Sequence, residues 1–142
     1  MEKIVWDDSY SVGVHKLDEQ HKMLIKMINK LIDMKDITVD SEELSEILTE
    51  MTKYANYHFQ TEEDLMVKYG FDEYDSHKKQ HEAFIKKTVG FCLDTMNYKR
   101  TVPVELLSFL KNWLLNHILK SDMKYKPFFS ERLPNYSAIT TG

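Results

Sequence analysis

Apolar side chains recur at the spacing of an α-helix in four long segments of the chain. The first pattern includes Leu24 and Leu31 and predicts a helix that starts from an N-cap at Asp18 and ends near Met34. Ahead of this helix the chain is expected to form an irregular arm, with a turn at Gly13, whose apolar side chains lie over one end of the helices. The arm spans residues 1–17, and its apolar side chains are those of Trp6, Tyr10, Val12 and Val14.

The second helix has a start and a stop that can be recognised in the sequence. Asp40 and Glu43, three residues apart, are typical of a capping box, in which side chains satisfy backbone N–H groups that the first helical turn leaves free. Gly70 readily adopts the left-handed conformation that ends a helix. We therefore expect the second helix to reach Lys68 or Tyr69.

The third and fourth helices follow from the same helical spacing. One is expected to start after Asp72 and to run to about Asn97. Thr101 is expected to cap the other, with Pro103 tolerated in its first turn. This fourth helix should fade near Asp122.

The connections between these segments are short, about four to seven residues, which favours antiparallel neighbours. The sequence therefore predicts an all-α fold, an antiparallel up-down-up-down four-helix bundle with an irregular N-terminal arm. Residues 1–129 are expected to form one domain. Residues 130–142 are expected to form an irregular C-terminal tail, since Pro127 and Pro134 oppose a continued helix.

Composition supports a single helical domain and argues against two classes of partner. With 142 residues the chain fits one core, and its 4 Gly and 3 Pro favour helices over a sheet with many turns. A net charge of -4 without a basic run indicates neither a nucleic acid nor a membrane partner. No basic leader and no membrane-spanning apolar run is apparent, so we expect a cytoplasmic protein. The single cysteine, Cys92, is expected to be a small core residue.

Histidine is the polar residue that indicates chemistry, because five of the six histidines fall in predicted helices and every helix contributes at least one. His58 and Glu62 are four residues apart, as are His77 and His81, so each pair projects from one helix face about 40° apart. A single buried histidine is usually satisfied by a carbonyl group or a water molecule. Several of them beside carboxylates would carry a large desolvation cost without a cation, so the pattern predicts a metal site. The five histidines are His21, His58, His77, His81 and His117.

Four short motifs resemble the hemerythrin family in its bacterial single-domain form, and the resemblance covers nearly the whole chain. It nominates Asp122 as a ligand, which spacing alone does not. Five residues on an α-helix separate the directions of His117 and Asp122 by about 140°. The motifs are DEQH at 18–21, HFQTE at 58–62, HKKQH at 77–81 and HILKSD at 117–122.

The resemblance implies two non-haem iron ions with an oxo or hydroxo bridge. One iron would bind His21 and His58, while Glu62 and Asp122 would bridge both irons. His15 matches no ligand position and is expected to be a surface residue. The other iron would bind His77, His81 and His117.

The resemblance also implies reversible binding of O2. Two irons with about six ligands each offer about twelve positions, and the protein and the oxygen bridge would fill all but about one of them. We expect O2 to bind at the open position of the two-histidine iron, for storage, delivery or scavenging, with an oxygen-consuming enzyme as a candidate recipient. The expected pocket residues, each of which is alternatively an ordinary core residue, are Leu24, Phe59, Trp113, Leu114, Ile118 and Tyr125.

Three other functions stay open. A ferritin-like di-iron oxidase uses Glu-x-x-His motifs, and this sequence contains none. An oxygen or redox sensor would act through a separate partner, because about twenty residues after Asp122 are too few for an output domain. Structural zinc sites usually have four ligands, often including Cys, which does not fit seven ligands without Cys. The oligomeric state is also left open.

Overall fold

The structure is a computed structural model that describes residues 2–34 and 37–132, and within these ranges the regular elements are all helical. Four long helices form the body of the protein and a short fifth helix follows them. A 3-10 turn lies in the N-terminal arm, and a π turn followed by a second 3-10 turn separates the fourth helix from the fifth. The helices are α1 (His15–Asp33), α2 (Glu42–Tyr69), α3 (Tyr74–Met96), α4 (Val102–Asn116) and α5 (Lys126–Arg132).

The four long helices pack in a closed ring, because α1 contacts α2 and α4, and α3 contacts the same two helices. Short connections make consecutive helices antiparallel. The predicted all-α helical bundle is therefore confirmed. No helix within the described ranges is both long enough and apolar enough to cross a lipid bilayer.

Two groups of buried apolar side chains fill the interior. The main core extends along the bundle and includes Leu24, Leu48, Phe84 and Leu114. A second group, here called the end cluster, lies where α1 begins and α2 ends. The end cluster consists of Val12, Val14, Leu17, Met66, Phe71, Tyr125 and Phe129.

The start of α1 differs from the prediction. The helix begins at His15, and Asp18 is not its N-cap. The Asp18 carboxylate instead accepts hydrogen bonds from the Ser11 hydroxyl and from the backbone N–H of Val12. Asp18 therefore stabilises the end of the arm, which turns at Gly13 with a φ of 80°, as expected.

The N-terminal arm covers one side of the bundle in addition to one end of it. Val12 and Val14 are buried in the end cluster, as predicted, whereas Trp6 packs against the main core. The side chain of Asn29, near the far end of α1, donates to the carbonyl of Ile4 and accepts from its N–H, both at 2.7 Å. The arm consequently runs back along α1.

The predicted capping box of α2 does not form. The helix begins after Ser41, whose hydroxyl donates to Glu43, and the Asp40 carboxylate accepts from the Thr38 hydroxyl. These side chains form hydrogen bonds in two pairs, and no side chain caps the backbone N–H groups of the first turn. The other end of α2 is as predicted, because Gly70 adopts a φ of 73°.

The chain after α4 is more ordered than expected. Thr101 occupies the predicted N-cap position, although its side chain makes no capping bond, and Pro103 lies in the first turn. Residues 126–132 form α5, so residues 130–132 of the predicted irregular tail are helical. Pro127 is tolerated because the first turn of a helix does not use its backbone N–H groups. Pro134 lies outside the described residues.

Candidate metal centre

Seven polar side chains meet inside the bundle between the main core and the end cluster. In an antiparallel bundle the beginnings of α1 and α3 and the ends of α2 and α4 lie at the same level, so residues far apart in sequence converge there. Each of the seven is at least 96% buried. They are the predicted ligands His21, His58, Glu62, His77, His81, His117 and Asp122.

Asp122 reaches this cluster because the helix widens after α4. Residues His117–Ser121 form a π turn, in which the N–H of Asp122 donates to the carbonyl of His117, five residues earlier. This pairing stacks the two residues on the same face of the chain, which an α-helix would not do. Oδ1 of Asp122 consequently lies 2.9 Å from Nε2 of His117.

Each carboxylate faces imidazoles from different helices. Oε1 of Glu62 lies 2.6 Å from Nε2 of His58, and Oε2 lies 3.4 Å from Nε2 of His77. Oδ1 of Asp122 is 2.9 Å from Nε2 of His77, and Oδ2 is 3.0 Å from Nε2 of His21. Both carboxylates therefore have one oxygen directed toward each half of the cluster.

The cluster divides into two groups of four residues that share Glu62. In each group, one ligand atom of every residue lies within 4.8 Å of the others. We call the first group, His21, His58, Glu62 and Asp122, the two-histidine position. We call the second group, Glu62, His77, His81 and His117, the three-histidine position.

A chain of hydrogen bonds determines which nitrogen of His58 carries the proton. The Thr61 hydroxyl donates to the carbonyl of Tyr57 at 3.0 Å, so it accepts from the Gln20 amide nitrogen at 3.2 Å. The Gln20 amide oxygen therefore faces Nδ1 of His58 at 2.6 Å, and Nδ1 must be the donor. Nε2 of His58 is left with a lone pair directed into the cluster.

Two further histidines have the same arrangement. Nδ1 of His81 donates to Oε2 of Glu63 at 2.9 Å, and Nδ1 of His117 donates to Oε1 of Gln80 at 3.0 Å. Burial raises the pKa of the Glu63 carboxyl. Outer partners of this kind are typical of histidines that bind metals through the other ring nitrogen.

These outer partners were not among the predicted site residues. Gln20 precedes His21, Glu63 follows Glu62 and Gln80 precedes His81 in sequence. Each of them bonds to the histidine of the next helix along the chain. In the sequence, each of these outer partners could be noticed only as a polar residue directly beside a predicted ligand. Its hydrogen bond to a histidine on another helix became evident only from the structure.

The donor atoms of the cluster fit a bound cation. Lone pairs on Nε2 of His58 and on Oε1 of Glu62 face each other at 2.6 Å, and Nε2 of His81 lies 3.2 Å from Nε2 of His117. Two acceptors this close repel each other unless a cation lies between them. Several buried atoms also lack a hydrogen bond to any described residue. They are both nitrogens of His21, Nε2 of His77 and both carboxylate oxygens of Glu62 and Asp122.

The electrostatics of the cluster also indicate a need for positive charge. Burial and the nearby Asp122 would raise the pKa of Glu62, but the imidazoles of His58 and His77 hold it below its usual value. Burial alone would lower the pKa of His77, yet its contacts with the two carboxylates raise it to about 10. Burial lowers the pKa of His81 to about 3, so this ring stays neutral. A proton on His77 thus occupies the place where a cation would bind.

Comparison with known proteins agrees with this geometry. Residues 12–129 match the family model described as the hemerythrin HHE cation binding domain. The chain belongs to the hemerythrin family. The match includes all seven side chains of the cluster.

Relatives from several kinds of organism are similar over most of their length. The bacteriohemerythrin of Clostridium acetobutylicum is 32% identical over 125 residues, which cover 85% of this chain and 97% of that protein. The hemerythrin-like protein of Naegleria gruberi is 39% identical and the myohemerythrin of Theromyzon tessulatum 38%, each with 85% of this chain and 89% of the relative covered. The crystal structure of a wild-type hemerythrin aligns with a TM-score of 0.79 at 27% identity, covering 89% of this chain and 97% of that one.

Four of the six side chains predicted to wall an oxygen pocket in this hemerythrin line a common apolar cavity. Leu24, Phe59, Trp113 and Leu114 surround it together with other core residues, and its volume is about 10 Å³. That volume is near the lower limit for one water molecule, and the lining offers almost no polar partner. The lining therefore disfavours a bound water molecule.

The aromatic members of this wall also stack on two imidazoles of the cluster. The ring of Phe59 stacks on His81 with centroids 4.0 Å apart, and the ring of Trp113 stacks on His117 at 4.4 Å. These contacts limit the rotation of both imidazoles.

The remaining residues singled out in the sequence lie elsewhere. Ile118 is buried in the main core but does not line the cavity. Tyr125 belongs to the end cluster, and its ring centroid is 5.8 Å from that of His77. His15 is exposed, as predicted, and Cys92 packs against the main core.

Proposed function

We propose that this protein binds O2 reversibly at a non-haem di-iron centre and acts as an oxygen carrier, not as an enzyme. The observation that supports this most directly is the pair of ligand groups that share Glu62, since a shared carboxylate suits two adjacent cations better than one. Membership of the hemerythrin family supports the choice of metal and ligand. Storage, delivery and scavenging of O2 are all consistent with such a carrier.

In this proposal His21 and His58 would hold one iron, and Glu62 and Asp122 would be ligands shared by both irons. The iron pair, when bound, supplies an open coordination position and the electrons that make O2 binding reversible. The other iron is held by His77, His81 and His117.

The side chains around the centre orient the ligands and exclude water. The hydrogen bonds that His58, His81 and His117 donate from Nδ1 keep each Nε2 lone pair directed inward, and the acceptors are Gln20, Glu63 and Gln80. Leu24 and Leu114 line the apolar cavity together with Phe59 and Trp113, whose rings stack on two imidazoles of the cluster. Exclusion of water would deny the site the protons and the solvation on which irreversible loss of reduced oxygen depends, as reversible binding requires.

A carrier is also favoured over an oxidase by the composition of the cluster. Five imidazoles and two carboxylates supply less negative charge than the four Glu of ferritin-like oxidases. Less negative charge stabilises high oxidation states of iron less well, and cleavage of O2 depends on such states. The ligand set therefore suits binding of O2 without its cleavage.

The test is an iron analysis combined with absorption spectra of the purified protein. We expect bands of an oxygen-bridged iron pair in air, bleaching on reduction with dithionite, and a distinct oxygenated spectrum when O2 is admitted. Removal of O2 under vacuum should return the reduced spectrum. Loss of O2 without recovery would indicate an oxidase, and a colourless zinc protein would show that the metal assignment is wrong.

A further inference from the structure

The three outer partners of the metal-binding histidines are not chemically equal. Gln20 on α1 accepts a hydrogen bond from His58 on α2, and Glu63 on α2 accepts one from His81 on α3. Gln80 on α3 accepts one from His117, the first residue after α4. The same arrangement therefore occurs three times around the bundle. Two of the acceptors are neutral amides, and only the middle one is a carboxylate.

This difference affects the electron density on the imidazole. A carboxylate that accepts the Nδ1–H of a metal-binding histidine makes the ring a more basic ligand. Hydrogen bonds to an ionised acceptor are also about twice as strong as those between neutral groups. The hydrogen bond of 2.9 Å to Glu63 should thus make His81 a stronger electron donor than either His58 or His117.

The carboxylate acts on one metal position alone. His81 belongs to the three-histidine position. In the two-histidine position, His58 bonds to the amide of Gln20, and Nδ1 of His21 has no hydrogen bond to any described residue. No residue described at that position supplies a negative charge through an outer hydrogen bond.

We propose that Glu63 is a positioning residue that makes the three-histidine position the more electron-rich of the two, and so lowers the reduction potential of the metal bound there. This inference rests on the proposed di-iron function. The iron at this position would be the easier of the two to oxidise, whereas the iron at the two-histidine position would be easier to keep reduced. The asymmetry would be set by one side chain that touches neither metal.

The first experiment measures reduction potentials by spectroelectrochemical titration of the iron-loaded protein, with one electron added per iron. Glu63→Gln keeps the shape and an amide oxygen as acceptor but removes the charge. We expect a positive shift that corresponds to roughly a tenfold change in the equilibrium constant, about 59 mV for a one-electron couple. Glu82→Gln is the control, because Glu82 is an exposed carboxylate that acts on Glu63 through space without a hydrogen bond to a ligand. A shift no larger in Glu63→Gln than in Glu82→Gln would overturn the proposal.

The reverse substitution keeps the proposal testable if Glu63→Gln fails to retain metal. Gln80→Glu places a second carboxylate on a histidine of the same metal position, and the potential should fall. An unchanged potential in Gln80→Glu would contradict the mechanism.

A second measurement does not depend on iron. In the zinc-loaded protein, which is diamagnetic, the Nδ1–H proton of His81 should resonate further downfield than those of His58 and His117, because only His81 bonds to a carboxylate. Equal shifts for the three protons would overturn the proposal. If instead the iron content shows no iron pair while the His81 proton is displaced, the di-iron function is wrong, whereas the hydrogen bond from His81 to the Glu63 carboxylate is upheld.

Discussion

His117 and Asp122 are five residues apart in the chain, yet Nε2 of one lies 2.9 Å from Oδ1 of the other. The π turn at His117–Ser121 makes this possible, because its hydrogen bond spans five residues. His58 and Glu62 achieve a comparable contact of 2.6 Å with four residues in a regular α-helix. The same type of imidazole–carboxylate pair is thus built once on a regular α-helix and once on a π turn.

Glu62 is the residue on which both metal positions depend, since it is shared by the two ligand groups. Glu62→Ala removes this shared ligand and its charge, so the metal content per chain should fall by about half or more. Glu105→Ala, on an exposed carboxylate of α4, should leave the metal content unchanged. Atomic absorption on both purified variants checks this. A Glu62→Ala protein with full metal content and an unchanged spectrum would show that Glu62 is not a bridge.

Gln20 should control metal affinity without touching the metal. Gln20→Leu leaves the Nδ1–H of His58 without its acceptor, and loss of such a partner typically weakens metal binding about 10–100-fold. Gln60→Leu, on the exposed side of α2, is the control. Competition with a chelator measures both affinities. Equal affinity in the two variants would mean that Gln20 only fills space.

The stability of the metal-free protein should have a maximum near pH 6.5, the ordinary pKa of histidine. The folded protein raises the pKa of His77 to about 10, so the stability from its proton is fully present below 6.5 and is lost as the pH rises toward 10. It lowers the pKa of His81 to about 3, so stability is also lost as the pH falls from 6.5 toward 3.

Unfolding by urea across this pH range tests the prediction. Metal loading should abolish the loss on the alkaline side, because the cation replaces the proton on His77. His77→Gln should reduce it in the metal-free protein as well, leaving the part due to His21, whose pKa Asp122 also raises. Stability that stays level between pH 6.5 and 10 in the metal-free wild type would contradict the assignment.

Leu114 should affect the lifetime of bound oxygen, beyond its contribution to stability. Leu114 and Leu48 are both 3% exposed in the main core, but only Leu114 lines the cavity beside the metal ligands. Leu114→Ala and Leu48→Ala should each lower the free energy of unfolding by about 2–5 kcal/mol. Leu114→Ala should in addition admit water and speed autoxidation of the oxygenated form. Stopped-flow measurements compare the decay rates of the oxygenated form in the two variants. Equal rates would show that Leu114 contributes only to packing.

The fold could be predicted from the sequence because its four helices are specified locally. Helical spacing of apolar residues predicts α1 to α4. Gly70 ends α2 where expected, because this kind of helix end requires only that one residue adopt the left-handed conformation. The errors occurred where side chains had a choice of partners. Asp18 and Asp40 both looked like helix caps, but Asp18 bonds to the arm and Asp40 bonds to Thr38.

The sequence by itself determined which residues can bind a metal, because imidazole and carboxylate chemistry and the four-residue spacing of His58 and Glu62 depend only on the chain. Tertiary structure decided how they are used. The pairing of Gln20, Glu63 and Gln80 with histidines on neighbouring helices depends on how the helices pack. The position of Asp122 depends on a widened turn that α-helical spacing does not predict. Contacts within one helix follow from a fixed rise and rotation per residue, whereas contacts between helices follow from their relative placement, which the packing of the whole core determines.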